Sequence, residues 1–296
     1  MVLDRILDRI LDRTFFAALA LLSALPVAAA NAQPAPGPAR PQTATPEMME
    51  NCPGMVAGRP PRAIPAAFKP AALAGDQVRI TYAGHSTFMI ESPQGVKIAT
   101  DYNDYVKPRA LPDVVTMNHA HSTHYTDHPD PGIKHVLRGW GPSPEQPARH
   151  DVQAGDVRVH NVPTNIRSWA GGGTERHGNS IFIFEIANLC IAHLGHLHHT
   201  LNQQQLNEIG RIDVVMVPVD GGVTLDLEGM AEVLAALKAP LLIPMHFFST
   251  YSLRRFLDVL GEKSYEVEMS ETPTVVVSKT TLPAKPKVLV LPGRAF

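Results

Sequence analysis

The chain is poor in cysteine, in charge and in long apolar runs, and each shortage removes a class of protein. Two cysteines, Cys52 and Cys190, are too few for a disulfide framework. One bridge between them stays open, but Cys190 sits in the apolar run Asn188-Leu189-Cys190-Ile191-Ala192 and reads as a small packed hydrophobe. Charged residues make up 18%, and 26 basic against 28 acidic side chains leave a formal charge of -2. That balance gives no electrostatic footing for nucleic acid as a partner. Past the N-terminal region no apolar run is long enough to span a bilayer. What is plentiful is proline (27), hydrophobic side chains (44%) and histidine (14). The 296 residues suffice for one sizeable domain or two small ones.

Residues 1–32 read as a secretory signal. Arg5, Arg9 and Arg13 precede an apolar run from Phe15 to Ala30, and Ala30-Asn31-Ala32 supplies a small-x-small cleavage pattern before Gln33. The leading segment is atypical, because its repeated Leu-Asp-Arg-Ile sets Asp4, Asp8 and Asp12 against the three arginines. An uncleaved anchor or a misplaced start is the other reading. Cleavage after Ala32 predicts a periplasmic or secreted protein with no stable membrane span. Residues 33–75 form a Pro/Ala-rich leader that cannot build a packed core and carries no assigned chemistry.

The folded domain is placed at residues 76–296. Val78–Tyr82, Thr87–Glu91 and Val96–Thr100 alternate or run apolar as strands, with a turn at Ser92-Pro93-Gln94-Gly95. Further strands are expected at Ile133–Leu137, Val157–Val162, Ser180–Ile186 and Leu189–His193. Between the second and third of these, the loop carrying Gly171-Gly172-Gly173 reads as a mobile flap. Helices follow: one capped by Thr200 with Gln203, one with Leu227, Met230, Leu234 and Leu237 on a face, one capped by Ser252. Asp213–Val219 and Leu241–Met245 are apolar strands between them, and short strands at 265–268, 274–277 and 288–291 end the chain. Strands first and strand–helix alternation later predict an α/β fold of two sheets sandwiched between helices.

The chain is organised around Asn118-His119-Ala120-His121-Ser122-Thr123-His124, directly after the apolar run Asp113–Met117. A strand ending in His-x-His sends both imidazoles to one side, and His124 can return on a turn. Neutral imidazole is the commonest protein ligand for zinc and similar metals. Two more strand ends deliver histidines: His193 with His196, His198 and His199, and then His246. One such histidine alone reads as an ordinary buried or surface residue; three separate strand ends point to a metal site.

These segments resemble the metallo-β-lactamase fold superfamily, in the branch of ascorbate-phosphate lactonase-like proteins and N-acyl phosphatidylethanolamine phospholipase D. The resemblance is carried by Ile80-Thr81-Tyr82-Ala83-Gly84-His85-Ser86-Thr87, Ala99-Thr100-Asp101, His119–His124, Ala192–Leu197 and Ile243-Pro244-Met245-His246. It implies an αββα sandwich of two mixed sheets flanked by helices, with a metal site at one edge and hydrolysis by metal-bound hydroxide. His119, His121, His124, His196 and His246 are then the candidate ligands. His85, Asp101 and His193 stand behind them.

Three departures bear on that site. Thr123 stands where the family's H-x-H-x-D-H motif has Asp, and Gly195-His196 replaces the Gly-Asp that supplies a bridging carboxylate. Val162-Pro163-Thr164-Asn165 lacks the family's loop histidine. Losing both carboxylates leaves two close divalent ions poorly neutralised. One ion is therefore favoured over two, zinc first, with manganese or iron as other occupants. Asp220, before Gly221-Gly222, is a replacement carboxylate, a general base or a turn cap. His199 is a second candidate for proton transfer. The expected function is an exported metal-dependent hydrolase of a small-molecule ester, lactone or phosphodiester; the competing one is a non-catalytic metal- or ligand-binding protein on the same scaffold.

Overall fold

A computed structural model describes residues 71–168, 172–261 and 264–293. Residues 1–32, read as a signal, and nearly all of the leader lie outside these residues, as do Cys52 and residues 169–171. No helix among the described residues is long and apolar enough to cross a membrane.

Two mixed sheets face each other. The first contains β1 (Gln77–Gly84), β2 (Thr87–Glu91), β3 (Lys97–Ala99), β4 (Val114–Met117), β5 (His135–Arg138) and β13 (Thr274–Ser278), in the order β13-β1-β2-β3-β4-β5. The second contains β6 (Asp151–Ala154), β7 (Val157–Ser168), β8 (Gly173–Ile186), β9 (Leu189–His193), β10 (Val214–Pro218), β11 (Leu241–Met245), β12 (Glu266–Met269) and β14 (Lys287–Val290), in the order β12-β14-β11-β10-β9-β8-β7-β6. Between them lie α1 (Gln203–Ile209), α2 (Leu227–Leu237) and α3 (Thr250–Leu260) in sequence. This is the α/β sandwich that the sequence predicts.

Side-chain alternation builds both faces of the eight-stranded sheet. Phe182, Phe184 and Ile186 of β8 point between the sheets with Val214, Met216, Leu241 and Ile243. Their neighbours Ile181, Ile183, Val215, Val217 and Leu242 point outward against Met230, Leu234, Leu253 and Phe256 of the helices. Such period-two exchange is what a sheet covered on both sides requires. All three helices contribute to this outer cluster. The outer face of the six-stranded sheet instead carries Ala99, Tyr102, Val115, Met117 and Ile133, from strands and loops.

Several boundaries differ from the sequence reading. β7 and β8 pair from Val157↔Ile186 to Ser168↔Gly173, with a bulge between Thr164 and Ile166. The stretch read as a mobile flap is therefore mostly paired strand, since polar residues there show no apolar alternation. α1 is capped by Asn202, not Thr200, because Asn202 and Gln205 complete the reciprocal capping box. α3 is capped by Ser249, whose hydroxyl accepts from Ser252 N–H. β6 was not anticipated. Cys190 is a free thiol that accepts from Arg211 at 3.3 Å.

Phe256 is fully buried between α3 and the sheet, whereas Tyr251, near the start of the same helix, is 71% exposed. Phe256→Ala should cost about 3–5 kcal/mol of stability, and Tyr251→Ala about 0.5 kcal/mol or less. Urea unfolding of the two variants measures the contrast.

Candidate metal centre

Six chain segments reach one edge of the sandwich, each just past the C-terminal end of a strand. They are His85 after β1, Asp101 after β3, His119–His124 after β4, His196 after β9, Asp220 after β10 and His246 after β11. β3 and β4 run parallel, as do β9, β10 and β11, so their ends collect on the same side. The backbone bends sharply to do this. His85, Asp101 and His246 adopt positive φ of 54°, 42° and 55°, a region that costs a non-glycine residue. His246 N–H donates to the His85 carbonyl at 2.8 Å, tying the two strand ends together. Gly195 has φ 60°, and a Cβ there would stand 2.4 Å from Asn118 and Asn179 side-chain atoms. Only glycine lets the chain pass and turn His196 inward.

Five imidazoles pack there. Ring centroids lie 4.4 Å apart for His85 and His246, 4.5 Å for His121 and His124, and 4.8 Å for His124 and His196. Ligand atoms of His85, His121, His124 and His246 all fall within 4.8 Å of one another. His196 joins through its Nε2, 3.2 Å from His121 Nε2.

Two buried carboxylates orient this cluster from behind. His124 Nδ1 donates to Asp101 Oδ2 at 2.5 Å, and Asp101 Oδ1 also accepts from Asn118. His246 Nδ1 donates to Asp220 Oδ2 at 2.9 Å. Asp220 Oδ1 accepts backbone N–H bonds from Gly222, Val223 and Thr224, and Oδ2 accepts from the Thr224 hydroxyl. A neutral imidazole that donates through Nδ1 presents its lone pair at Nε2. His124 Nε2 and His246 Nε2 are both buried without a hydrogen-bond partner among the described residues. Buried acceptors left empty are rare, and a carboxylate–histidine pair facing one is how metal ligands are oriented. The donor set therefore fits a borderline divalent ion.

The electrostatics favour the neutral form of His85, His121, His124 and His196. Burial holds His85 down at about 3, with the neighbouring His246 and His121 adding to the effect. Burial also lowers His121, and pushes His124 and His196 well below the usual range. His198 is held down at about 4 by burial and by Arg167. Burial would raise Asp220, but hydrogen bonds from His246 and Thr224 outweigh it and keep the carboxyl well below its ordinary value. Burial pushes Asp101 up, against the opposing influence of His193 and the Asn118 and Ser86 hydrogen bonds.

The residues singled out in the sequence divide as follows. His121, His124, His196 and His246 come together. His85, read as standing behind the ligands, lies among them, with Nδ1 3.0 Å from Ser86 Oγ and Nε2 3.2 Å from Thr123 Oγ1. His119 turns away: its Nδ1 donates to Glu175 Oε1 at 2.6 Å, and its ring leans on Trp140 and Tyr125. Asp101 stands behind His124. His193 is one step further back, its Nε2 donating to the Ser86 carbonyl at 2.9 Å. Asp220 both caps the turn and holds His246, so its oxygens are occupied rather than poised as a base. His199 is engaged by backbone on both nitrogens, with Asn165 N–H at Nε2 and the Thr200 carbonyl at Nδ1. His198 and Glu175 were missed as partners of the site. His198 was visible only as one more histidine in its run, and nothing in the sequence marks Glu175.

The fold and the imidazole cluster together define the metallo-β-lactamase class of α/β sandwich. The family model of the β-lactamase superfamily domain matches residues 79–246, and the chain belongs to that superfamily. A metal-dependent hydrolase of the UPF0173 group from Archaeoglobus fulgidus is 25% identical over 196 residues, 57% of this chain and 83% of the relative. One from Thermoplasma volcanium is 24% identical over 196 residues, with the same coverage of 57% and 83%. Among solved structures, a protein of Thermotoga maritima assigned to the zinc-dependent hydrolases of the superfamily superposes with a TM-score of 0.53. It is 28% identical, and the match covers 73% of this chain and all of that one.

The depressed imidazoles set a pH dependence. An unfolded chain protonates these histidines near 6.5; in the folded chain His85 does so only at about 3 and His198 at about 4, and His121, His124 and His196 are displaced in the same direction. Between those limits the unfolded state binds more protons, so stability rises with pH and is lost on acidification. Asp101, raised by burial, works the other way, one group against several. Urea midpoints of metal-free protein should fall steadily from pH 7 to pH 4.5 by this linkage; a flat profile would mean that the rings are already charged when folded.

Proposed function

We propose that the chain is an exported metal-dependent hydrolase that uses one divalent ion, zinc first and manganese or iron otherwise, on a small ester, lactone or phosphodiester. The observation that carries this is the pair of buried Nε2 lone pairs of His124 and His246, each backed by a carboxylate. His121, which lies partly open to solvent at the mouth, completes a three-imidazole set, with His85 beside it. A divalent ion held by His121, His124 and His246 would supply Lewis acidity and lower the pKa of water there towards neutrality. The protein's own groups do the rest. Asp101 and Asp220 fix which nitrogen each ligand presents, and Thr123 holds His121 through Nδ1 at 2.7 Å. The sandwich edge excludes water from behind the site, since His124, His196 and His246 are fully buried. Export rests on the signal-like residues 1–32, and the relatives named as hydrolases support the reaction class.

A binding-only protein is the second reading, favoured by one fact: a fourth imidazole, His85, has a ligand atom within 4.8 Å of those of His121, His124 and His246, so four rings rather than three could hold an ion. The experiment separates the two. Purified protein should carry one metal per chain by elemental analysis, and two tightly bound ions would overturn the single-ion reading. Chelation and His121→Ala should each abolish turnover of the best substrate in an ester, lactone and phosphodiester panel; metal binding with no turnover of any panel member supports the second reading. Asp220→Asn, which keeps the shape but removes the charge behind His246, should weaken zinc binding about 10–100-fold in chelator competition.

A further inference from the structure

We infer that His196 is not a metal ligand but a hydrogen-bond donor, aimed by His198 and Arg167 at an anionic oxygen of whatever ligand enters the site. The inference rests on the metal reading above and adds the ligand's charge. It follows from the direction of one chain of hydrogen bonds. Arg167 offers two donors to His198 Nδ1, its backbone N–H at 3.0 Å and its Nε at 3.1 Å. That nitrogen must therefore be an acceptor, and the His198 proton sits on Nε2. His198 Nε2 lies 2.5 Å from His196 Nδ1, which then accepts. An imidazole must keep one proton, so His196 carries it on Nε2 and donates to His121 Nε2 at 3.2 Å. His121 in turn donates from Nδ1 to Thr123 Oγ1 at 2.7 Å.

Arg167 does not move easily from this role. Its Nη2 donates to the carbonyls of Gly222, Val223 and Thr224, the same turn that Asp220 caps. The polarity of the chain is thus anchored in backbone at one end. When His121 gives its Nε2 lone pair to a metal, the His196 N–H loses its acceptor. His196 is fully buried, and a buried donor without an acceptor is costly. The site is completed by a ligand that places an anionic oxygen there, such as a carboxylate, a phosphate ester or a hydroxamate.

The test uses the zinc-loaded full chain and acetohydroxamate as probe. Zinc affinity by chelator competition should change by less than about threefold in His196→Ala and His196→Gln, well short of the 10–100-fold expected when a group acting on the metal is lost. Acetohydroxamate affinity should fall about tenfold or more in His196→Ala, the effect of one lost hydrogen bond to a charged group. His196→Gln, which restores an N–H, should recover part of it. In long-range nitrogen–proton spectra His196 should show the Nε2–H tautomer with and without zinc. Loss of zinc binding in both variants overturns the inference and leaves the metal reading standing. Unchanged acetohydroxamate affinity in His196→Ala overturns it as well. Failure of the unmutated chain to bind zinc removes both.

Discussion

The site depends on a single rule of imidazole chemistry: a neutral ring has one N–H and one lone pair, and whatever holds the first decides where the second points. Asp101 and Asp220 take the Nδ1 protons of His124 and His246, and the two Nε2 atoms are left facing the cluster with no partner among the described residues. Burial makes this decisive. In water either nitrogen could be satisfied; at zero exposure an empty lone pair is a standing cost of roughly 1–3 kcal/mol. Other buried atoms, such as His193 Nδ1, carry that cost too, but His124 and His246 also bring ligand atoms within 4.8 Å of those of His85 and His121, which marks them as places for a cation rather than as packing.

The scaffold that delivers these rings is dictated by strand direction. Parallel strands end on a common edge, and residues just beyond those ends can meet although they lie far apart in sequence. Here the meeting is enforced by backbone that few residues tolerate. Three positive-φ positions, His85, Asp101 and His246, are themselves members of the site or stand directly behind it. Gly195 is the complementary case, since the side-chain amides of Asn118 and Asn179 fill the space a Cβ would need. Those amides are not idle: Asn118 donates to Asp101 and accepts from Ser180 N–H, and Asn179 accepts from His196 N–H. One small network thus holds the main chain, a carboxylate and a histidine at once.

Much of this was legible in the sequence because it rests on periodicity and on residue type. The apolar runs of β4, β9 and β11 announce buried strands, and histidines at or just past the end of each announce chemistry at the strand end. The two-sheet sandwich follows from strands preceding strand–helix pairs. What escaped was everything set by pairing partners. Polar residues in β7 and β8 form ladder bonds without apolar alternation, so the hairpin was read as a loop. Thr200 and Asn202 are both sound caps, and only the reciprocal bond to Gln205 chooses between them. His119 fits the motif as well as His121 does, yet Glu175, from a distant strand, draws its ring elsewhere. Ligand identity is a property of pairs, and a single sequence shows members only.

Thr123 and His196 show why replacing carboxylates changes more than charge. A carboxylate only accepts hydrogen bonds, so two of them converging on imidazoles need protons or cations between them. A hydroxyl and an imidazole each donate as well as accept. Thr123 Oγ1 bridges His121 and His85, and His196 bridges His121 and His198. His85, His121, His196 and His198 are thus oriented by one hydrogen-bonded net, beside the two rings that Asp101 and Asp220 orient. Preorganisation of this kind lowers the cost of binding one ion, because the ligand rings do not have to be ordered on binding. It also weakens the case for a second ion, since the positions that would hold it are occupied by groups bonded to one another.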